Sequence, residues 1–145
     1  MAKPTYSHTV GDKPIWVFDN LCSKDEATSV FKGLEASAFR LNEVARPDTA
    51  EYKHWAVGLS EPQIAGLPVS QRATEQIAEI TGKKYRAYRA YVNYASYGDM
   101  LFTHTDCLPE ADELTVLVYI CPQWDIEWGG ETLFYNEHDD CVFAS

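Results

Sequence analysis

The sequence predicts an α+β fold whose second half is β. Apolar residues recur at helical spacing in two stretches before Gly82, and short strand-like runs lie before and between them. Beyond Gly82 the texture changes to aromatic, alternating segments broken by turn formers. At 145 residues, 46% hydrophobic, the chain is expected to form one domain, 1–145, with enough apolar content for a single core. Within it, residues 1–84 read as helix and strand support and residues 85–145 as the β part.

Ile15-Trp-Val-Phe-Asp-Asn20 is a short apolar run closed by turn formers and predicts a buried strand. Ser23 followed by Glu26 is a capping-box signature, and Ala27, Val30, Phe31 and Leu34 then share one helical face. Phe39 to Glu43 and Lys53 to Leu59 predict strands, with a loop at Arg46-Pro47-Asp48 between them. A second helix is expected from Pro68 to Ile80, its face formed by Val69, Ala73, Ile77 and Ile80 and its end capped by Gly82. Tyr85 to Tyr94 alternates, with Arg89, Tyr91 and Asn93 on one side and Tyr88, Ala90, Val92 and Tyr94 on the other. After a turn at Tyr97-Gly98-Asp99 come four more expected strands: Met100 to Asp106, Leu114 to Ile120, Thr132 to Tyr135 and Cys141 to Ala144.

Charge narrows the function classes. Twelve basic residues against 22 acidic ones give a formal net charge of −10, a surface that repels phosphate backbones and anionic lipid. Neither a nucleic-acid nor a membrane partner is expected. No apolar run reaches the length of a membrane span, and Met1 to Gly11 holds no hydrophobic leader core. The four cysteines, Cys22, Cys107, Cys121 and Cys141, form no C-x-x-C pair, so free thiols in a reducing cytoplasm are expected.

The sharpest chemical signal is Phe102-Thr-His104-Thr-Asp106. On a strand, residues two apart project to the same side, so an imidazole nitrogen and a carboxylate oxygen can take adjacent positions on one metal. Alone, the triplet reads first as a histidine at a strand end hydrogen-bonded to its neighbour, because such triplets recur by chance.

The surroundings add a motif order: Asn93-Tyr94-Ala-Ser-Tyr97-Gly98 before the triplet, then the hydrophobic run Leu114 to Ile120 with Tyr119, Trp124, and Gly129-Gly-Glu-Thr132. This order resembles the prolyl-4-hydroxylase-like branch of the 2-oxoglutarate/Fe(II) dioxygenases over about residues 85–145. The opening Phe18-Asp-Asn-Leu-Cys-Ser23 ahead of a helix resembles it more faintly. The resemblance implies a double-stranded β-helix, a cupin-like jelly roll, with N-terminal helices packed on one sheet. Residues 85–145 would be the first part of that core.

It further implies Fe(II) held by His104 and Asp106, with 2-oxoglutarate and O2 as co-substrates and ascorbate as reductant. Tyr94 and Thr132 match positions that reach 2-oxoglutarate, and Arg89, Tyr91 and Trp124 become substrate-side candidates. The reaction implied is decarboxylation of 2-oxoglutarate to succinate and CO2, coupled to hydroxylation of a small molecule, an amino acid or a peptidyl residue. Gly129-Gly130 reads as a turn or bulge rather than a contact.

One departure matters. The family needs a second iron-binding histidine well after H-x-D, then a Lys or Arg for the far carboxylate of 2-oxoglutarate. After Asp106 the sequence has only His138, in the polar stretch Asn136 to Asp140, and after Thr132 it has no Lys or Arg. The sequence therefore reads as a core lacking its last strands, its open sheet edges to be covered by a second copy or a further segment. As given, the chain is expected to bind Fe(II) weakly and to be inactive. The alternatives are a non-catalytic remnant serving assembly, and a cupin-like metal-binding module that does not use 2-oxoglutarate.

Overall fold

The computed structural model describes residues 3–108 and 110–145; the first residues of the stretch read above for a leader lie outside them. Among the described residues there are three α-helices and seven strands, arranged in three separate antiparallel sheets with no closed barrel. The coarse expectation of an α+β chain with antiparallel strands is met.

The chain opens with a hairpin, β1 (Tyr6–Val10) and β2 (Lys13–Val17), turning at Gly11. The sequence reading placed one strand at Ile15 to Asn20. The structure shifts it earlier and gives it a partner, Tyr6↔Val17 to Val10↔Lys13. Helix α1 (Lys24–Glu35) starts at the expected capping box: the Ser23 hydroxyl accepts from the Glu26 amide, and the Glu26 carboxylate accepts from the Ser23 amide. Strand β3 (Arg40–Glu43) and strand β4 (His54–Leu59) are joined through a single helical turn at Pro47–Thr49. Helix α2 (Glu61–Gly66) follows, missed in the sequence although Ser60 and Gln63 carry the same box chemistry, the Ser60 amide donating to Gln63 Oε1 at 2.8 Å. Helix α3 (Pro68–Thr81) ends at Gly82, whose φ of +69° is the left-handed conformation that a C-capping glycine adopts without strain.

Strand β5 (Ala90–Tyr94) completes the central sheet in the order β3-β4-β5. Strands β6 (Leu133–Tyr135) and β7 (Cys141–Ala144) form the last hairpin, extended one pair further by the Thr132 and Ser145 main chains. The two terminal hairpins meet through aromatic rings: Phe143 stacks on Tyr6, with centroids 5.1 Å apart and planes at 5°, and lies 5.8 Å from His8.

Two expected strands do not form. Residues 100–106 and 114–120 join no ladder. Side chains tether them instead: Arg46 donates to the Thr103 carbonyl, Tyr119 donates to the Thr132 hydroxyl, and between the two segments Asp112 accepts from Lys83 and Tyr85 at 2.8 Å and Glu113 from Tyr88. A hydrophobic alternating run becomes a strand only where another edge lies beside it.

Burial is correspondingly local. Among the described residues Ala56, Ile64, Val69 and Ala73 are the buried apolar side chains, and Leu114, Val116, Leu117, Val118 and Tyr119 stay exposed. The accessible surface is 11,011 Å², against roughly 7,500 Å² for a compact monomer of this mass. Helices α1 and α3 are tied by Arg72, which forks onto Glu26 at 2.6 and 2.8 Å.

Candidate functional site

His104 and Asp106 meet although their segment is not a strand. His104 Nε2 stands 3.3 Å from Asp106 Oδ1, with about a third of each side chain exposed (33% and 39%). His104 Nδ1 lies 2.8 Å from the Phe102 carbonyl oxygen. A carbonyl can only accept, so this contact makes Nδ1 the protonated nitrogen. Nε2 then faces the carboxylate either as the second N–H of an imidazolium or as a bare lone pair.

In the second case two acceptors oppose each other, and a cation between them removes the repulsion. Two ligands at right angles on one metal, each about 2.1 Å from it, stand about 3 Å apart. The observed separation fits that arrangement. A histidine whose far nitrogen is held by a backbone carbonyl is also the usual second layer of a metal site.

The loop after β3 sets this geometry. Arg46 holds Asp48 through Nε and Nη2, both at 2.9 Å, and donates through Nη1 to the Thr103 carbonyl at 2.6 Å. Phe102 meets two partners, the Arg46 guanidinium 5.9 Å from its ring centre and Tyr52 with centroids 5.1 Å apart. Thr49 closes the turn: buried, it accepts from the Arg46 amide and donates to the Arg46 carbonyl. The sequence reading took Arg46-Pro47-Asp48 as a plain loop. Its only signal was the R-P-D order itself, which does not say what the arginine reaches.

An open hollow of about 540 Å³ lies on one face of the central sheet, lined in part by Arg40, Asn42, Glu43, Gly58, Arg89 and Tyr91. The register explains the grouping. Arg40 stands opposite Ala56, and Gly58 opposite Tyr91, so these residues share a face. Between Leu41 and Glu43 the pairing is shifted by a bulge, which turns both Asn42 and Glu43 toward the hollow. Arg89 lies over the Tyr91 ring at 5.2 Å. Burial, then Asp106 and Glu43, push the Tyr91 phenol above its ordinary pKa, with Arg89 opposing them. Asp106 and Glu43 are thus the acidic groups that act on the Tyr91 phenol.

The other expected site residues scatter. Tyr94, three positions from Tyr91 and therefore on the opposite face of β5, is exposed and meets Phe39 with centroids 6.0 Å apart. Thr132 pairs with Ser145 through the main chain, and its hydroxyl accepts from Tyr119. Trp124 donates to the Gly129 carbonyl at 2.9 Å within its own loop, where Gly129 and Gly130 both take positive φ. His138 is exposed beside Glu137. Among the described residues no group of three His, Cys, Asp or Glu is placed to hold a metal ion, so neither His138 nor a cysteine completes the pair. No described helix is long and apolar enough to cross a membrane.

Comparison with protein-family models, curated proteins and solved structures gives no match to this chain.

Proposed function

We propose that this chain carries the iron-binding segment and substrate face of a 2-oxoglutarate- and Fe(II)-dependent hydroxylase built on a jelly-roll core. The observation that carries the reading is the His104–Asp106 pair, with Nδ1 committed to the Phe102 carbonyl and Nε2 turned to the carboxylate at 3.3 Å. The motif order from Asn93 to Thr132 supports it independently of that geometry.

His104 Nε2 and an Asp106 oxygen supply two adjacent donors for Fe(II), and the third donor is not among the described residues. Bound there, the metal with 2-oxoglutarate and O2 supplies the oxidising chemistry for an unactivated C–H bond. The chain's own residues do the positioning. Phe102 fixes the imidazole tautomer, Arg46 holds the main chain beside it, and Tyr91 lines the hollow.

The test is an anaerobic Fe(II) titration followed by NMR of the histidine rings, repeated with His104→Ala and Asp106→Ala. Weak, saturable binding that falls at least tenfold in each variant is expected, because two donors make only a short chelate. Adding 2-oxoglutarate should then produce a visible charge-transfer band. Fe(II) binding indifferent to both substitutions would overturn the metal site and leave a simple ion pair. Binding that depends on both residues but gives no band with 2-oxoglutarate would select the cupin-like metal-binding module.

A further inference from the structure

The arginines of this acidic chain are mostly paired. Arg46 faces Asp48, Arg72 faces Glu26 and Arg86 lies 4.0 Å from Glu61. The two with no carboxylate within 4 Å among the described residues, Arg40 and Arg89, both line the hollow on the central sheet. In a protein with 22 acidic residues, two guanidinium groups left over at one place are donors awaiting an acceptor.

The rest of the lining is as specific. Glu43 is turned into the same hollow by the bulge in β3, Asn42 adds an amide, and Tyr91 adds its ring, with Arg89 lying over it. Between them the floor is Gly58, where an added Cβ would meet nothing within 4 Å. A ligand without positive charge leaves Glu43 unmatched and, if doubly anionic, repelled. A molecule with a carboxylate at one end and an ammonium beside it satisfies Arg40, Arg89 and Glu43 together.

We infer that this hollow binds a free amino acid, its α-carboxylate on Arg40 and Arg89 and its ammonium on Glu43. That the bound molecule is the one oxidised rests on the function proposed above. The binding itself does not, and it is testable without metal.

The experiment titrates the metal-free protein with a panel of free L-amino acids, watching amide shifts of β3, β4 and β5. Each binder is compared with its carboxamide, with the corresponding 2-hydroxy acid, and with inorganic phosphate. At least one amino acid should bind saturably, and its carboxamide and hydroxy-acid analogues at least tenfold more weakly. Arg40→Gln and Arg89→Gln should each weaken binding about tenfold. Gly58→Val, which keeps every charge and suits a strand, should block it by filling the floor. Glu43→Gln should weaken the amino acid and strengthen phosphate.

Circular dichroism of each variant separates lost binding from lost folding. No saturable binder in the panel would overturn the inference, as would binding unchanged in both arginine variants. Phosphate competing as well as the amino acid in the unmodified protein would show a general anion site instead and overturn it too. Since iron is absent throughout, failure here leaves the Fe(II) titration standing, and failure there leaves this one standing.

Discussion

Arg46, in the turn between β3 and β4, donates through Nη1 to the main-chain carbonyl of Thr103, 57 residues further along and directly before His104. Its other two donors are locked on Asp48, so the guanidinium is a fixed bracket rather than a swinging surface group. The segment carrying the candidate metal ligands has no strand neighbour. This bracket, with Tyr52 against Phe102, takes the place of one.

Arg46→Ala should therefore weaken Fe(II) binding about tenfold, in the range seen when the outer partners of metal ligands are removed. The histidine-ring NMR signals of His104 should broaden before any metal is added. Arg46→Lys restores charge but not the fork, and rescue is expected to be partial. Equal Fe(II) affinity in Arg46→Ala and the unmodified protein would show that Arg46 does not position His104.

Glu26 serves two masters, the cap of α1 and the Arg72 fork from α3. The Arg72 hydrogen bonds, followed by those from Ser23, pull its pKa from 4.5 to about 2. A carboxyl whose folded pKa lies below its unfolded one stabilises the fold fully above the unfolded value, and loses that contribution as pH falls through the folded one. The thermal stability gap between the unmodified protein and Glu26→Gln should be widest above about pH 5 and close between 4.5 and about 2. A gap that is flat over that interval would mean the fork does not stabilise the folded chain.

Gly82 ends α3 at φ +69° with open space around its missing Cβ. Gly82→Ala meets no clash, so its cost is backbone conformation alone, about 1–2 kcal/mol. Gly82→Asn should cost less, since asparagine tolerates the left-handed region. Denaturant unfolding of the three proteins measures both values, and an alanine variant as stable as the parent would count against this cap.

Tyr119 holds the exposed run 114–120 to β6 by donating to Thr132. Tyr119→Phe removes that donor while keeping the ring, at a cost of about 1 kcal/mol. Hydrogen exchange should accelerate in residues 114–120 and leave α3 unchanged. Uniform acceleration across the chain would show that the contact supports the whole fold rather than this segment.

Local elements were legible in the sequence because their causes are local. The Ser23–Glu26 box, the apolar faces of α1 and α3 and the glycine after α3 are each set by residues within a few positions of one another. The alternation around Tyr91 was legible for the same reason, and Arg89 lies over the Tyr91 ring, both lining the same hollow. The proximity of His104 and Asp106 follows from residues two apart, though a strand was the wrong reason for it.

What only the tertiary structure decided are relationships between distant segments. Whether Met100 to Asp106 and Leu114 to Ile120 become strands depends on an edge to pair with, and hydrophobic alternation carries no information about that edge. The hold of Arg46 on Thr103, the fork of Arg72 on Glu26 and the grouping of Arg40, Glu43 and Arg89 around Gly58 join side chains far apart in sequence. A charge pattern read along the chain gives a net sign. Which charges are paired and which are left for a ligand is fixed only when the strands lie side by side.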